Sequence, residues 1–248
     1  MKNITIIIFS IIMIFSKLSF AESSWQFGIM IPIGASFSFY NVRFNNSEAT
    51  ADYIKNYQKI NGAVGFDAGV NLQGGYLISD GDKGISLLLD LGYSHDSFGL
   101  SSSYNKGNIK VKSTEYYTFE SLSIGILPKF HYKNYSFGFG VGVKLPLYLT
   151  HSAEIAKDNE IIKTYSYYNT SKMNSIMKNT VMTYVKLTFD YSFYVHENIA
   201  LLLGAYVGTD FGIDLRGAEL VKVDSRNLAS FDLGIQLGLK VGSGLFNN

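Results

Sequence analysis

From Trp25 to Phe39 every odd position is apolar: Trp25, Phe27, Ile29, Ile31, Ile33, Ala35, Phe37 and Phe39. Between them stand Gln26, Gly28, Met30, Pro32, Gly34, Ser36 and Ser38. A repeat of two is the signature of a β-strand with one oily face and one small or polar face. The same alternation returns over residues 64–78, 85–97, 116–132, 135–149, 181–195, 199–211 and 229–241. In the third segment the apolar set is Ile85, Leu87, Leu89, Leu91 and Tyr93. In the eighth it is Phe231, Leu233, Ile235, Leu237, Leu239 and Val241. The pattern predicts an all-β chain of eight strands.

Connections alternate in length. Residues 79–84, 133–134 and 196–198 make short links suited to tight hairpins, whereas 41–62, 96–115, 151–180 and 213–228 make long ones. Short turns on one side and long loops on the other are the asymmetry of an outer-membrane up-and-down β-barrel, with its long loops outside and both termini in the periplasm. A two-residue turn at Lys133-Asn134 sets Tyr132 opposite Tyr135, and the apolar residues switch from even to odd numbers across it as that register requires. One irregularity stands at Glu120, which the outward phase exposes; a β-bulge there, or a position above the bilayer, is expected.

Volume decides which face is outside. Eight strands enclose room for side chains or one small ligand, far less than these Phe, Leu, Ile and Tyr residues need. The opposite face is rich in glycine, including Gly65, Gly69, Gly138, Gly140, Gly142, Gly204, Gly208, Gly234 and Gly238. Small residues fit a crowded lumen, over which Tyr148, Tyr184, Tyr194 and Tyr206 can lean. The oily face therefore meets lipid. Trp25, Tyr76, Tyr132, Tyr135, Tyr191 and Phe193 gather near the short turns, where a periplasmic aromatic girdle belongs.

The first 21 residues change the picture only by supplying an address. Lys2, the apolar run from Ile4 to Phe15, and Ser19-Phe20-Ala21 have the layout of a cleaved secretory signal, leaving a barrel over residues 22–248. There is no cysteine, and the formal net charge is +1, which gives no reason to expect a nucleic-acid partner. No stretch has the spacing of a metal-ligand cluster, a phosphate loop or a dinucleotide fingerprint, so no cofactor is expected.

Charges within the strands fall on the inward phase: Asp67, Asp90, Asp190, Asp210 and Asp232 against Lys129, Lys144, Lys186 and Lys240. Five acids against four lysines predict a salt-bridged plug, because an ion pathway normally carries one dominant sign. His131, His151 and His196 are expected simply to meet solvent. His95, Ser97 and neighbouring Glu120 share an outward, lipid-facing patch. A lipid-facing His-x-Ser with a nearby Glu resembles the arrangement of outer-membrane lipid A deacylases, in which the histidine activates the serine; the resemblance extends to those three residues. Tyr53 and Tyr57 in the first long loop, and Tyr165, Tyr167 and Tyr168 in the third, are candidates for a binding surface.

Taken together, the leader, eight alternating strands, unequal loops and near-neutral lumen resemble the small outer-membrane barrels of the OmpX and opacity-protein type, within the porin family of small barrels. The stretch from Phe119-Glu120-Ser121-Leu122 to Phe130 is similar to their fourth strand. Such barrels commonly end on an aromatic residue, whereas here Phe246 is followed by Asn247-Asn248. The resemblance implies a Gram-negative outer-membrane location, contact with lipopolysaccharide and the assembly machinery, and a non-enzymatic role in adhesion or envelope integrity through a host or envelope ligand. A small passive pore and a lipid A-modifying enzyme are the alternatives it leaves.

Overall fold

The computed structural model describes residues 22–44, 59–106, 109–157, 160–216 and 223–242. Tyr53, Tyr57 and the leader lie outside them. Eight long antiparallel strands form the wall: β1 (Glu22–Phe44), β2 (Lys59–Asp80), β3 (Lys83–Lys106), β4 (Ile109–Tyr132), β5 (Tyr135–Lys157), β8 (Met182–His196), β9 (Ile199–Arg216) and β10 (Val223–Gly242). Each pairs with its neighbours, and β10 closes on β1 over a register running from Gln26↔Gly242 to Tyr40↔Leu228. A closed ladder leaves no row of unpaired backbone groups facing hydrocarbon, the condition for spanning a bilayer with strands.

At one end, β2–β3, β4–β5 and β8–β9 are joined by two-residue turns at Gly81-Asp82, Lys133-Asn134 and Glu197-Asn198. Lys133 takes a left-handed conformation (φ 52°). Its N–H donates to the Asp82 carbonyl at 2.8 Å, so adjacent turns are stitched together at the rim. Trp25 packs edge-on against Tyr76, and Tyr191 against Tyr135 and Phe193, as the girdle pattern requires.

The opposite end departs from the expected loops. β3 and β4 stay paired without interruption to Lys106↔Ile109, and β5 continues to Lys157. The segment read as a long loop from 151 to 180 is a hairpin. β6 (Glu160–Asn169) returns along β5, then helix α1 (Thr170–Ile176) and β7 (Met177–Asn179) carry the chain to the edge of β9. Asn169 starts α1 by accepting a bond from the Lys172 N–H at 3.2 Å. Only then does the chain enter the barrel as β8, taking the lower half of β5 from Tyr135↔Tyr191 to Lys144↔Met182.

The strands change character part-way up. Along β3 the outward residues Ile85, Leu87, Leu89, Leu91 and Tyr93 are exposed, while inward Ser86, Asp90 and Ser94 are buried. Above Asp96 the phase holds but the chemistry inverts: inward Phe98 and Leu100 are buried, and outward positions become Ser101 and Ser103. β4 repeats this, with Tyr117 and Phe119 inside and Lys112, Thr114 and Thr118 outside. On β9, Gly212 adopts φ 95° and two of its residues oppose one on β10, so the phase flips and Ile213 and Leu215 turn inward. These residues join Leu149, Met173, Met177, Met182 and Leu228 in one apolar cluster. The lower barrel is thus oily outside and predominantly polar inside, with Met30, Leu77, Leu88, Leu127 and Leu202 filling in among the polar groups, whereas the upper barrel has an ordinary apolar core. The inversion marks where lipid gives way to water.

Candidate functional site

The lumen follows from space created by glycine. Gly34 and Gly234 oppose each other across β1–β10, and an added Cβ on either would strike Tyr206. Gly125 and Gly142 do the same beneath Tyr184. Both phenols lie over a glycine pair and are buried. Tyr206 donates to Asp67 at 2.7 Å, and Tyr184 donates to Asp90 at 3.3 Å.

Around them the inward charges pair with one another. Lys144 Nζ bridges Asp96 at 2.8 Å and Asp210 at 2.6 Å. Lys186 pairs with Asp90 at 2.5 Å, and Lys129 with Asp190 at 2.8 Å. Gln236 donates to the second Asp190 oxygen, Gln73 donates to Asp90 at 3.1 Å, and Ser230 donates to Asp232 at 3.0 Å. Lys240 donates to the Tyr194 hydroxyl at 2.8 Å. Every sequence-derived lumen charge lies inside, and the structure adds Asp96, which stands where the 85–97 strand segment and the following long loop overlap. The distribution is uneven along the axis. Asp67, Asp96, Asp210 and Asp232 surround Lys144 in the upper lumen, while Lys129 and Lys240 lie nearer the short turns. A cavity of about 60 Å³ remains beside Asp67, Lys144, Asp210 and Asp232, and another of about 20 Å³ beside Lys129, His131 and Lys240.

Three sequence expectations require correction. Tyr148 does not lean into the lumen; it is 60% exposed on the outer wall. Glu120 pairs with Tyr148 and Ser121 with Pro146, so Leu147 is an extra residue that reverses the phase of β5. The register break expected at Glu120 is there, between Glu120 and Ser121, with the extra residue contributed by β5 while β4 runs in unbroken register with β3. His131 and His151 do not simply meet solvent. His131 is buried with Nε2 2.8 Å from Ser86 Oγ, and His151 stacks on Tyr117 and lies 3.4 Å from Glu115. His196 is exposed as expected.

On the outer wall, His95 and Glu120 do meet. The carboxylate accepts from His95 Nδ1 at 2.6 Å and from the Tyr93 hydroxyl at 2.7 Å. Phe66 lies against the imidazole, with ring centres 6.1 Å apart. Ser97 is buried two residues on, its Oγ hydrogen-bonded to Thr118 Oγ1 at 3.0 Å. Of the three outward candidates, the structure thus couples the histidine with the glutamate and engages the serine elsewhere. Tyr165 and Tyr167 stand out from β6, 59% and 72% exposed, while Tyr168 turns inward onto the apolar cluster. The preceding bulge is what aligns Tyr148 with Tyr167 on one face, a placement the sequence alternation could not give.

No family model and no curated protein matches the chain. Among solved structures it is similar to small outer-membrane β-barrels. The outer membrane protease OmpT of Escherichia coli is 10% identical, with 88% of this chain and 96% of that chain covered and a TM-score of 0.39. Ail, the attachment invasion locus protein of Yersinia pestis, is 12% identical, with 86% and 97% covered and a TM-score of 0.29. OprG of Pseudomonas aeruginosa is 12% identical, with 87% and 95% covered and a TM-score of 0.36. The barrel itself is established by its closed ladder and its exposed apolar belt rather than by these likenesses.

Proposed function

We propose that this outer-membrane β-barrel is a non-conducting surface protein whose stiff upper wall presents binding faces outside the cell, serving adhesion or envelope integrity. The observation that supports this reading is how the lumen is filled at two levels among the described residues. The membrane-level section holds paired Lys and Asp side chains together with Tyr184, Tyr206 and inward leucines, with cavities of about 60 and 20 Å³ beside the charged groups. Above it the apolar cluster, with Met173 and Met177 among its members, packs inside the upper barrel. Permeant ions need a continuous wet path with sites weak enough to leave; buried ion pairs beneath an apolar cluster supply neither. Planar-bilayer recording on the purified full-length protein should show no discrete conductance steps. Reproducible unitary steps would refute the reading and favour the passive pore.

A further inference from the structure

We propose that the groove between β5, β6 and α1 holds the anionic sugar head of an outer-leaflet glycolipid. The groove has a volume of about 370 Å³ and is lined by Tyr148, Thr150, Tyr167, Tyr168, Asn169 and Lys172, with Leu149 as its floor. Its position is set by the register. Leu122↔Leu145 is a cross-strand pair of exposed leucines at the top of the lipid belt, and Glu120↔Tyr148 is the next outward pair above it. The lower lip of the groove is therefore continuous with the surface that contacts acyl chains. A molecule seated there has oily tails below and a polar head beside Tyr148.

The lining fits such a head. Tyr148 and Tyr167 offer exposed, stiff, amphipathic rings for the apolar face of a sugar, at small entropic cost. Thr150 supplies a hydroxyl and Asn169, whose side-chain oxygen caps α1, an amide N–H of the kind that reads sugar hydroxyls. Lys172 brings an exposed ammonium to the rim, suited to a phosphate or carboxylate. The nearest outward acid on β4, Glu120, is already satisfied by His95 and Tyr93. A soluble glycan could use the rings and the lysine but would gain nothing from the belt, which selects the lipid-anchored source.

This inference rests on the outer-membrane reading above, but its test does not involve conductance. The full-length protein is refolded into phospholipid nanodiscs and titrated with purified lipopolysaccharide, or with the same lipopolysaccharide stripped of its acyl chains. Intact lipopolysaccharide should bind saturably and the stripped sugar at least about tenfold more weakly. Lys172→Gln and Tyr167→Ala, both at exposed positions, should each weaken binding by about tenfold, while Tyr167→Phe stays within about twofold. Unshifted folded-state gel mobility confirms that each variant keeps its barrel. Unchanged affinity in both Lys172→Gln and Tyr167→Ala, or equal affinity for the stripped sugar, overturns the proposal. Either failure leaves the filled lumen, and the reading built on it, intact.

Discussion

At the scale of single residues, the lumen turns on Lys144. It is one ammonium between two carboxylates, at 2.8 and 2.6 Å, with Asp67 and Asp232 also lining the adjoining cavity. Burying charge is tolerable only while it is paired, and removing one partner leaves the other stranded. Lys144→Met should therefore cost about 3–5 kcal/mol, measured by urea unfolding from liposomes with Trp25, the single tryptophan, as reporter. Adding Asp96→Asn and Asp210→Asn to that variant should recover most of the loss, because the carboxylates that need the lysine are then gone. A small effect of Lys144→Met alone, or no recovery in the triple variant, would show that water rather than the lysine compensates these acids. The sequence revealed this network because inward charges on alternating strands have nowhere else to go. Asp96 escaped it because the oily outward residues of β3 end at Tyr93, which leaves that position legible equally as the last of the strand or the first of a loop.

At the scale of elements, that boundary explains what was legible. Inside the membrane each strand announces itself by outward Leu, Ile and Phe. Above it, Phe98, Leu100, Tyr117 and Phe119 sit on the inward phase among serines and threonines, and the alternation reads as loop unless the inversion is anticipated. A one-residue bulge at Leu147 leaves no mark in composition, so the facing of Tyr148 was not recoverable from the pattern. Nor was α1, seven residues anchored by Met173, fully buried in the apolar cluster, with Ile176 packed on the same cluster and hydrogen bonds from Thr170 to the Leu147 carbonyl and from Arg216 to the Asn174 carbonyl. Isolated helices of that length are unstable in water, so tertiary packing must hold it. Met173→Ala should cost about 2–5 kcal/mol locally. Because α1 joins β6 to the three-residue β7 rather than forming barrel wall, the loss should appear as faster trypsin cleavage after Lys172 while the barrel remains folded. Cleavage at the wild-type rate would mean that α1 is held by something other than this methionine.

At the scale of the molecule, the inversion of polarity fixes how deep the barrel sits. On β3, Ile85 to His95 is eleven residues, matching the roughly 9–11 residues of a tilted strand needed to cross hydrocarbon. The exposed face then passes from Tyr93 through the His95–Glu120 pair to Ser101 and Ser103 within a few residues, so the water boundary is sharp. The ten residues from Ser97 to the top of β3 at Lys106 stand clear of lipid, with the apolar cluster rather than the bilayer holding their wall together. The absence of cysteine makes this measurable without background. A polarity-sensitive dye on Leu91→Cys should emit as in hydrocarbon and be quenched by brominated lipid, and the same dye on Ser103→Cys should emit as in water and escape quenching. Both sites lie on the outward phase of one strand, so orientation cannot produce the contrast; only depth can. If Ser103→Cys were quenched like Leu91→Cys, the bilayer would reach past the serines, and the soluble-type core above the belt would lose its physical basis.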